Sequence, residues 1–147
     1  MDGSAISSII LGAFGFGLTA YYSWHSKKIA HEQMQKELFA EFNHRYDGLN
    51  NYLVKIQREC PDMESFEKHE EHDLLKQKVI DYFSLCAEEF YWYHHKGRID
   101  TIVWNSWQAG MKYWYDHVPV IKALWLEESK GNGKQSYYIT NDNEVFF

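Results

Sequence analysis

The stretch VIDYFSLCAEEFYWYHHKGRIDTIVWNSWQAGM, residues 79–111, decides the fold, because it contains the end of one helix and the start of the next. Its first part follows an apolar stripe at helical spacing that stops at Gly97, and glycine commonly ends helices. Asp100 comes shortly afterwards, and aspartate is a preferred N-cap residue. The stretch therefore predicts one helix from about Asp73 to Lys96 and another from Asp100 to about Asp116.

Both predicted helices carry a continuous apolar stripe, which is typical of the core-facing surface in a helical bundle. The stripe of the first helix is Leu75, Val79, Tyr82, Cys86, Phe90 and Tyr93, and that of the second is Trp104, Trp107, Met111, Trp114 and Val118. Upstream, residues 25–58 contain no proline and carry a similar stripe, which predicts a helix that ends before Pro61. The acidic residues 59–73 predict a solvated linker or a short helix.

The segment after the second helix contains a further helix signal and a strand signal. Pro119 suits the first turn of a helix that reaches about Glu128. SYYIT (136–140) and EVFF (144–147) are joined by turn-forming residues and predict a short C-terminal β-hairpin. The predicted fold class is therefore mainly α, with a small helical bundle and this possible hairpin.

The composition limits the classes of partner. The chain has 147 residues, a formal net charge of −6 and a pI near 5.7. Proteins that bind duplex nucleic acid without sequence preference need a basic surface, so we expect no such partner. Aromatic residues make up 18% of the chain, more than one small bundle readily buries. This excess predicts self-association, because large aromatic side chains favour the cores of interfaces.

The N-terminal segment is uncharged from Ser4 to Trp24 and is long enough to cross a bilayer. Lys27 and Lys28 follow it, so the positive-inside rule predicts an N-terminus outside and a cytoplasmic domain. We therefore expect a membrane anchor over residues 1–24 and a cytoplasmic helical domain over residues 25–147, in a single-pass protein of the bacterial inner membrane. The alternative is a buried N-terminal helix of a soluble protein.

One face of this N-terminal helix consists of small residues. Ser8, Gly12, Gly15 and Thr19 lie on it, and small side chains let helices approach closely in lipid. We expect this face to be the membrane-helix association face of a homo-oligomer, with the lipid bilayer as a partner. The alternative is that common residue types align by chance.

No motif in the chain predicts catalysis. The sequence contains no phosphate-binding glycine loop, no nucleophile elbow and no paired cysteine motif. His69 and His72 are three residues apart, where a zinc-protease helix has histidines four apart. Glu88 and Glu89 diverge by about 100° on a helix, so structural pairing with a lysine or an indole N–H explains them better than acid–base chemistry. We expect no enzyme, no metal and no cofactor.

A basic cluster surrounds the predicted helix end at Gly97. The candidate ligand-binding residues are His94, His95, Lys96, Arg98, Trp92 and Trp104. Cations at a helix C-terminus complement the helix dipole, which is the simpler interpretation. The functional interpretation is a pocket for a small anion, in which Arg98 binds a phosphate group and Trp92 and Trp104 stack on a base.

The run from Val79 to Trp125, together with FNHRYDGLNNYL (residues 42–53), resembles an uncharacterised bacterial family of small membrane-anchored helical proteins, and the resemblance covers about two thirds of the chain. The residues that match its pattern are Leu85, Cys86, Glu88, Glu89, Gly97, Ile99, Trp104, Trp107, Gly110 and Met111. The resemblance brings no activity with it. The layout, an N-terminal anchor before a minimal helical domain, is similar to membrane effectors of type III CRISPR antiphage defence that respond to cyclic oligoadenylates.

These features predict a self-associating effector of bacterial defence that binds a small anion, a cyclic oligonucleotide for example, and perturbs the membrane. The alternative is a non-enzymatic anchored subunit that recruits a protein partner.

Overall fold

The computed structural model describes the backbone of residues 3–141 and 144–147, and the side chains of residues 15–141 and 144–147. The chain divides into two compact units, Met1–Glu37 and Leu38–Phe147. The predicted boundary at residue 24 thus falls inside the first unit. The helices are α1 (Gly3–Glu59), α2 (Met63–Glu67), α3 (His72–Phe90), a π-helix (Tyr91–His95), α4 (Thr101–His117), α5 (Pro119–Glu128) and a 3-10 helix (Gly131–Tyr137).

The prediction of a membrane anchor over residues 1–24 is wrong for the described part of the chain. Among the described residues, no helix is both long and apolar enough to cross a membrane. Spanning takes about 20 mostly apolar residues. The described side chains begin at Gly15, so the uncharged stretch before Lys27 and Lys28 is shorter than this among the described residues. The side chains of residues 1–14 lie outside the described part. The predicted single-pass localisation in an inner membrane, with a cytoplasmic domain, is contradicted with it.

The core of the second unit is built from the predicted apolar stripes. Among the described residues of α1 the buried side chains are Phe42, Leu49, Leu53 and Ile56, and those of α3 include Leu75, Val79, Tyr82, Cys86 and Phe90. α4 contributes Trp104, Met111 and Trp114 to the same cluster. The spacing of these residues places each set on one face of its helix, and burying those faces together is what favours the bundle.

The ends of the helices follow local signals in the sequence. α1 ends at Glu59, just before Pro61. The side chain of Asp62 accepts a hydrogen bond from the backbone N–H of Ser65 and caps the short helix α2. The carboxylate of Asp100 accepts one from the N–H of Ile102 at 2.8 Å, which caps α4 as predicted.

The turn between α3 and α4 differs from a simple helix end. α3 becomes a π-helix after Phe90, and this π-helix ends at His95. Gly97 then takes a φ of +59°, a left-handed conformation that favours glycine. The backbone N–H of Arg98 donates to the carbonyl of Trp92 at 2.9 Å and closes the turn. The wider π turn changes the direction in which the side chains after Phe90 project.

The predicted C-terminal β-hairpin is wrong, because the described residues of this segment form no strand. Ser136 and Tyr137 belong to the 3-10 helix, and Tyr138 has a φ of +59°, which interrupts an extended backbone. Glu144 then accepts hydrogen bonds from the N–H and the hydroxyl of Thr140, at 2.6 and 2.9 Å. The Glu144 side chain therefore satisfies the backbone N–H of Thr140, a group that a hairpin could have paired with a backbone carbonyl.

Candidate ligand-binding site

A pocket of about 160 Å³ lies among α1, α3 and α4 of the second unit. Its lining residues are Asn43, Tyr46, Tyr82, Glu89, Ser106, Trp107, Gly110 and Met111. Tyr82 and Glu89 are seven residues apart on α3, about two turns, so they lie on the same face. Gly110 has no side chain, and a Cβ added there would meet nothing within 4 Å. The glycine thus leaves space beside the exposed Ser106, where the pocket meets solvent.

Contacts among aromatic side chains fix the walls of the pocket. The indole N–H of Trp114 donates to the hydroxyl oxygen of Tyr46 at 3.0 Å. Trp107 packs edge-on against Phe42, with ring centroids 5.7 Å apart, and stacks on Phe39 at 6.0 Å. All of these contacts are made within the protein, so the rings are held in place and the pocket is largely formed in advance.

Glu89 is the unusual residue of this pocket. Its side chain is only 5% exposed, although it carries a carboxyl group. Burial raises the pKa of this carboxyl to about 8, against the opposing effect of the Arg45 cation and with a smaller contribution from the Glu88 anion. At pH 7 Glu89 is therefore mostly protonated, and in this form it can donate a hydrogen bond into the pocket.

Arg45 forms its hydrogen-bonded ion pair with Glu88 and not with Glu89. Its two terminal nitrogens donate to the two carboxylate oxygens of Glu88 at 2.6 and 3.0 Å. This bidentate hydrogen bond, more than any other effect, raises the pKa of Arg45. The predicted structural pairing thus holds for Glu88, although the partner is an arginine instead of a lysine or an indole. Glu89 keeps a carboxyl that faces the pocket.

The predicted ligand-binding histidines contact the C-terminal segment. The Nε2 atom of His94 lies 3.3 Å from a carboxylate oxygen of Glu144, and its ring stacks on Phe90 at 5.0 Å. The Nε2 atom of His95 lies 3.0 Å from the carbonyl oxygen of Tyr138. Both side chains thereby connect the π-helix to residues 138–144.

The remaining residues of the basic cluster also have neighbours within the protein. The ammonium of Lys96 lies 5.3 Å from the centre of the Tyr91 ring. Trp104 is buried and stacks on Tyr93 at 4.9 Å, whereas Trp92 is half-buried beside Tyr91. Arg98 is exposed at the turn that its backbone N–H closes. Of the candidate residues, His94 and His95 have rings in contact, with centroids 5.2 Å apart, and the role of the cluster as an anion site stays a prediction.

The predicted association face is described only in part. Gly15 and Thr19 are exposed, and the hydroxyl of Thr19 donates to the carbonyl oxygen of Gly15 at 2.8 Å. The side chains of Ser8 and Gly12 lie outside the described residues. Association of helices through this face is not tested by the structure and stays a prediction.

Sequence reasoning assigned Glu89 to structural pairing and therefore missed both this residue and the pocket as a candidate site. The signal was a carboxyl residue on the flank of an apolar stripe, where charge is costly unless it is paired. The pocket itself also depends on how α1 and α4 approach α3, which no local pattern specifies. Among the described residues, no group of three or more His, Cys, Asp or Glu side chains is placed to hold a metal ion.

Comparisons with known proteins give no relative. No protein-family model matches the chain, and no curated protein or solved structure is significantly similar to it. The resemblance to a family of membrane-anchored helical proteins therefore stays a prediction.

Proposed function

We propose that the unit Leu38–Phe147 is a non-enzymatic ligand-binding module whose ligand occupies the pocket beside Glu89. The proposal rests mainly on one observation: the Glu89 carboxyl, 5% exposed, lines a pocket, while Arg45, the cation that acts on it, is paired with Glu88. Burying such a group lowers stability, and ionisable groups with strongly shifted pKa values are concentrated at functional sites.

The size of the pocket favours a compact ligand. About 160 Å³ is below the range of roughly 300–1,000 Å³ that is usual for drug-sized ligands. A cyclic oligonucleotide is larger than such ligands, so the predicted sensing of one would need the basic cluster at His94–Arg98 instead. That hypothesis, and the defence role linked to it, stays a prediction.

Binding is favoured over catalysis by the chemistry of the lining. Among the described residues, the pocket lining combines one carboxyl group with hydroxyl, amide and aromatic groups. Activated nucleophiles need a base within hydrogen-bond reach, and among the described residues of the lining no hydroxyl group is hydrogen-bonded to the Glu89 carboxyl. A formed pocket that combines aromatic rings with a few polar groups is typical of a recognition site.

A fragment screen by ligand-observed NMR on the full chain tests this function. Gly110→Leu fills the pocket, so we expect it to abolish binding of the fragments that bind the natural protein. Ala109→Leu is the matched control, because Ala109 is also exposed on α4 but does not line the pocket. Fragments that bind both variants equally, or the absence of any bound fragment, would contradict the proposal.

A further inference from the structure

We propose that the pocket takes a compact organic ammonium ion, held by the Glu89 carboxylate and the rings of Tyr46, Tyr82 and Trp107. This inference rests on the proposed binding function and adds the chemical class of the ligand. It depends on the charges, the aromatic lining and the size of the pocket.

The charges around the pocket favour a cation. Arg45 and Glu88 neutralise each other through their bidentate pair. Glu89 is the one carboxyl among the lining residues, and the described lining contains no lysine or arginine. An ammonium ion would compensate the ionised Glu89, whereas an anionic ligand would meet no cationic partner in the lining.

The aromatic lining favours the same class of ligand. Tyr46 and Tyr82 have ring centroids 6.4 Å apart with tilted planes, and Trp107 completes the aromatic part of the lining. Cations are attracted to the faces of such rings, and clusters of them recognise alkylated ammonium groups. Met111 adds a polarisable contact for methyl groups.

Binding of the ammonium ion should release a proton from Glu89. Arg45 on α1 and Glu88 on α3 are the charged groups that act on this carboxyl. Its other titratable neighbours are Tyr82 and Cys86 on α3, whose pKa values its charge raises, and Tyr46 on α1, which lines the same pocket. α4 faces the pocket with Ser106, Trp107, Gly110 and Met111, none of which is charged. The pKa of Glu89 is about 8, and a bound cation would lower it. The affinity should therefore increase about tenfold for each pH unit up to that value.

Titration of the full chain with tetramethylammonium, followed by NMR at pH 6, 7 and 8, tests this inference. The probe carries a permanent charge, so only the protein titrates in this range. Uncharged tert-butanol has a similar shape and is the matched control ligand. We expect tetramethylammonium to bind at least tenfold more tightly at pH 8 than at pH 6, and tert-butanol to show no such dependence.

The variant Glu89→Gln keeps the shape of the side chain and cannot ionise. It should bind tetramethylammonium no better than tert-butanol at any of these pH values, whereas the exposed control Glu64→Gln should behave like the natural protein. The pH dependence of the natural protein tests the inference even if Glu89→Gln fails to fold.

The two proposals fail in different ways. If neutral or anionic fragments bind and Gly110→Leu blocks them, while tetramethylammonium binds no better than tert-butanol, the ammonium inference is overturned and the binding function stands. If Gly110→Leu affects no ligand, the proposed function itself is overturned.

Discussion

At the scale of single residues, Glu89 carries the main energetic cost in the described core. Its carboxyl is buried, and this burial raises its pKa to about 8 although the Arg45 cation, whose hydrogen bonds go to Glu88, opposes the shift. The proposed binding role explains why a glutamate occupies this position, since an apolar side chain would make an ordinary core position more stable.

We predict that Glu89 makes stability fall as the pH rises. Its pKa increases on folding from 4.5 to about 8, so the folded chain keeps a proton that the unfolded chain releases between these values. The free energy of unfolding should decrease across this range by an amount on the order of a few kcal/mol. Urea denaturation at pH 5 and pH 9 measures it.

Glu89→Gln is the comparison for this prediction. It should match the natural protein at pH 5, where the acid is neutral, and exceed it in stability at pH 9. Parallel stability curves for the two proteins would show that Glu89 is not the group responsible.

At the scale of helices and turns, replacing Gly48 or Gly97 by alanine should change stability in opposite directions. Gly48 is exposed inside α1, and a Cβ there would meet nothing within 4 Å. We predict that Gly48→Ala stabilises the protein by about 0.5–1 kcal/mol, because alanine loses less backbone entropy in a helix. Gly97→Ala should instead destabilise it by roughly 1–2 kcal/mol, because the φ of +59° is unfavourable for alanine. Thermal unfolding distinguishes the two, and a stabilising Gly97→Ala would contradict the left-handed turn at this position.

The C-terminal segment gives a second prediction at this scale. Hydrogen bonds from the N–H and hydroxyl of Thr140, together with the nearby His95 and His94, hold the pKa of Glu144 below its usual range, the backbone bond contributing most. The interaction should therefore persist above the usual glutamate pKa and be lost as the pH falls through the lowered value. We predict that Glu144→Gln increases hydrogen exchange of the Thr140 amide at pH 7.

Glu127→Gln is the control for this measurement, since Glu127 is exposed on α5. Unchanged exchange in Glu144→Gln would show that the carboxylate is not what orders the Thr140 backbone.

Local signals explain which elements the sequence predicted. Pro61, Asp100 and Pro119 act within a few residues of themselves, so the helix boundaries beside them could be inferred without a structure. The π-helix and the non-strand C-terminal segment depend on contacts such as that of His94 with Glu144, which are distant along the chain. The strand propensity of SYYIT could not indicate that His95, from the π-helix, contacts the backbone of Tyr138.

At the scale of the whole molecule, the core lies in one part of the chain. Every buried hydrophobic residue among those described falls within Leu38–Phe147. We predict that residues 38–147 expressed alone unfold cooperatively, with a Tm within a few degrees of that of the full chain. Circular dichroism on both proteins measures this.

Leu53→Ala supplies the comparison for the two lengths of chain. Leu53 is fully buried, so the substitution should lower stability by about 2–5 kcal/mol in each. A fragment without a cooperative transition would mean that residues before Leu38 are needed for the fold.

The π-helix at Tyr91–His95 has a consequence for chain length. One residue more or fewer in a helix rotates all later side chains by about 100°. Deleting a single residue between 91 and 95 would let the turn revert to an ordinary α-helix, and His94 and His95 would then point away from Glu144 and Tyr138. The number of residues in this segment is therefore as constrained as their identity. Relatives of this chain should differ there by substitutions rather than by insertions or deletions.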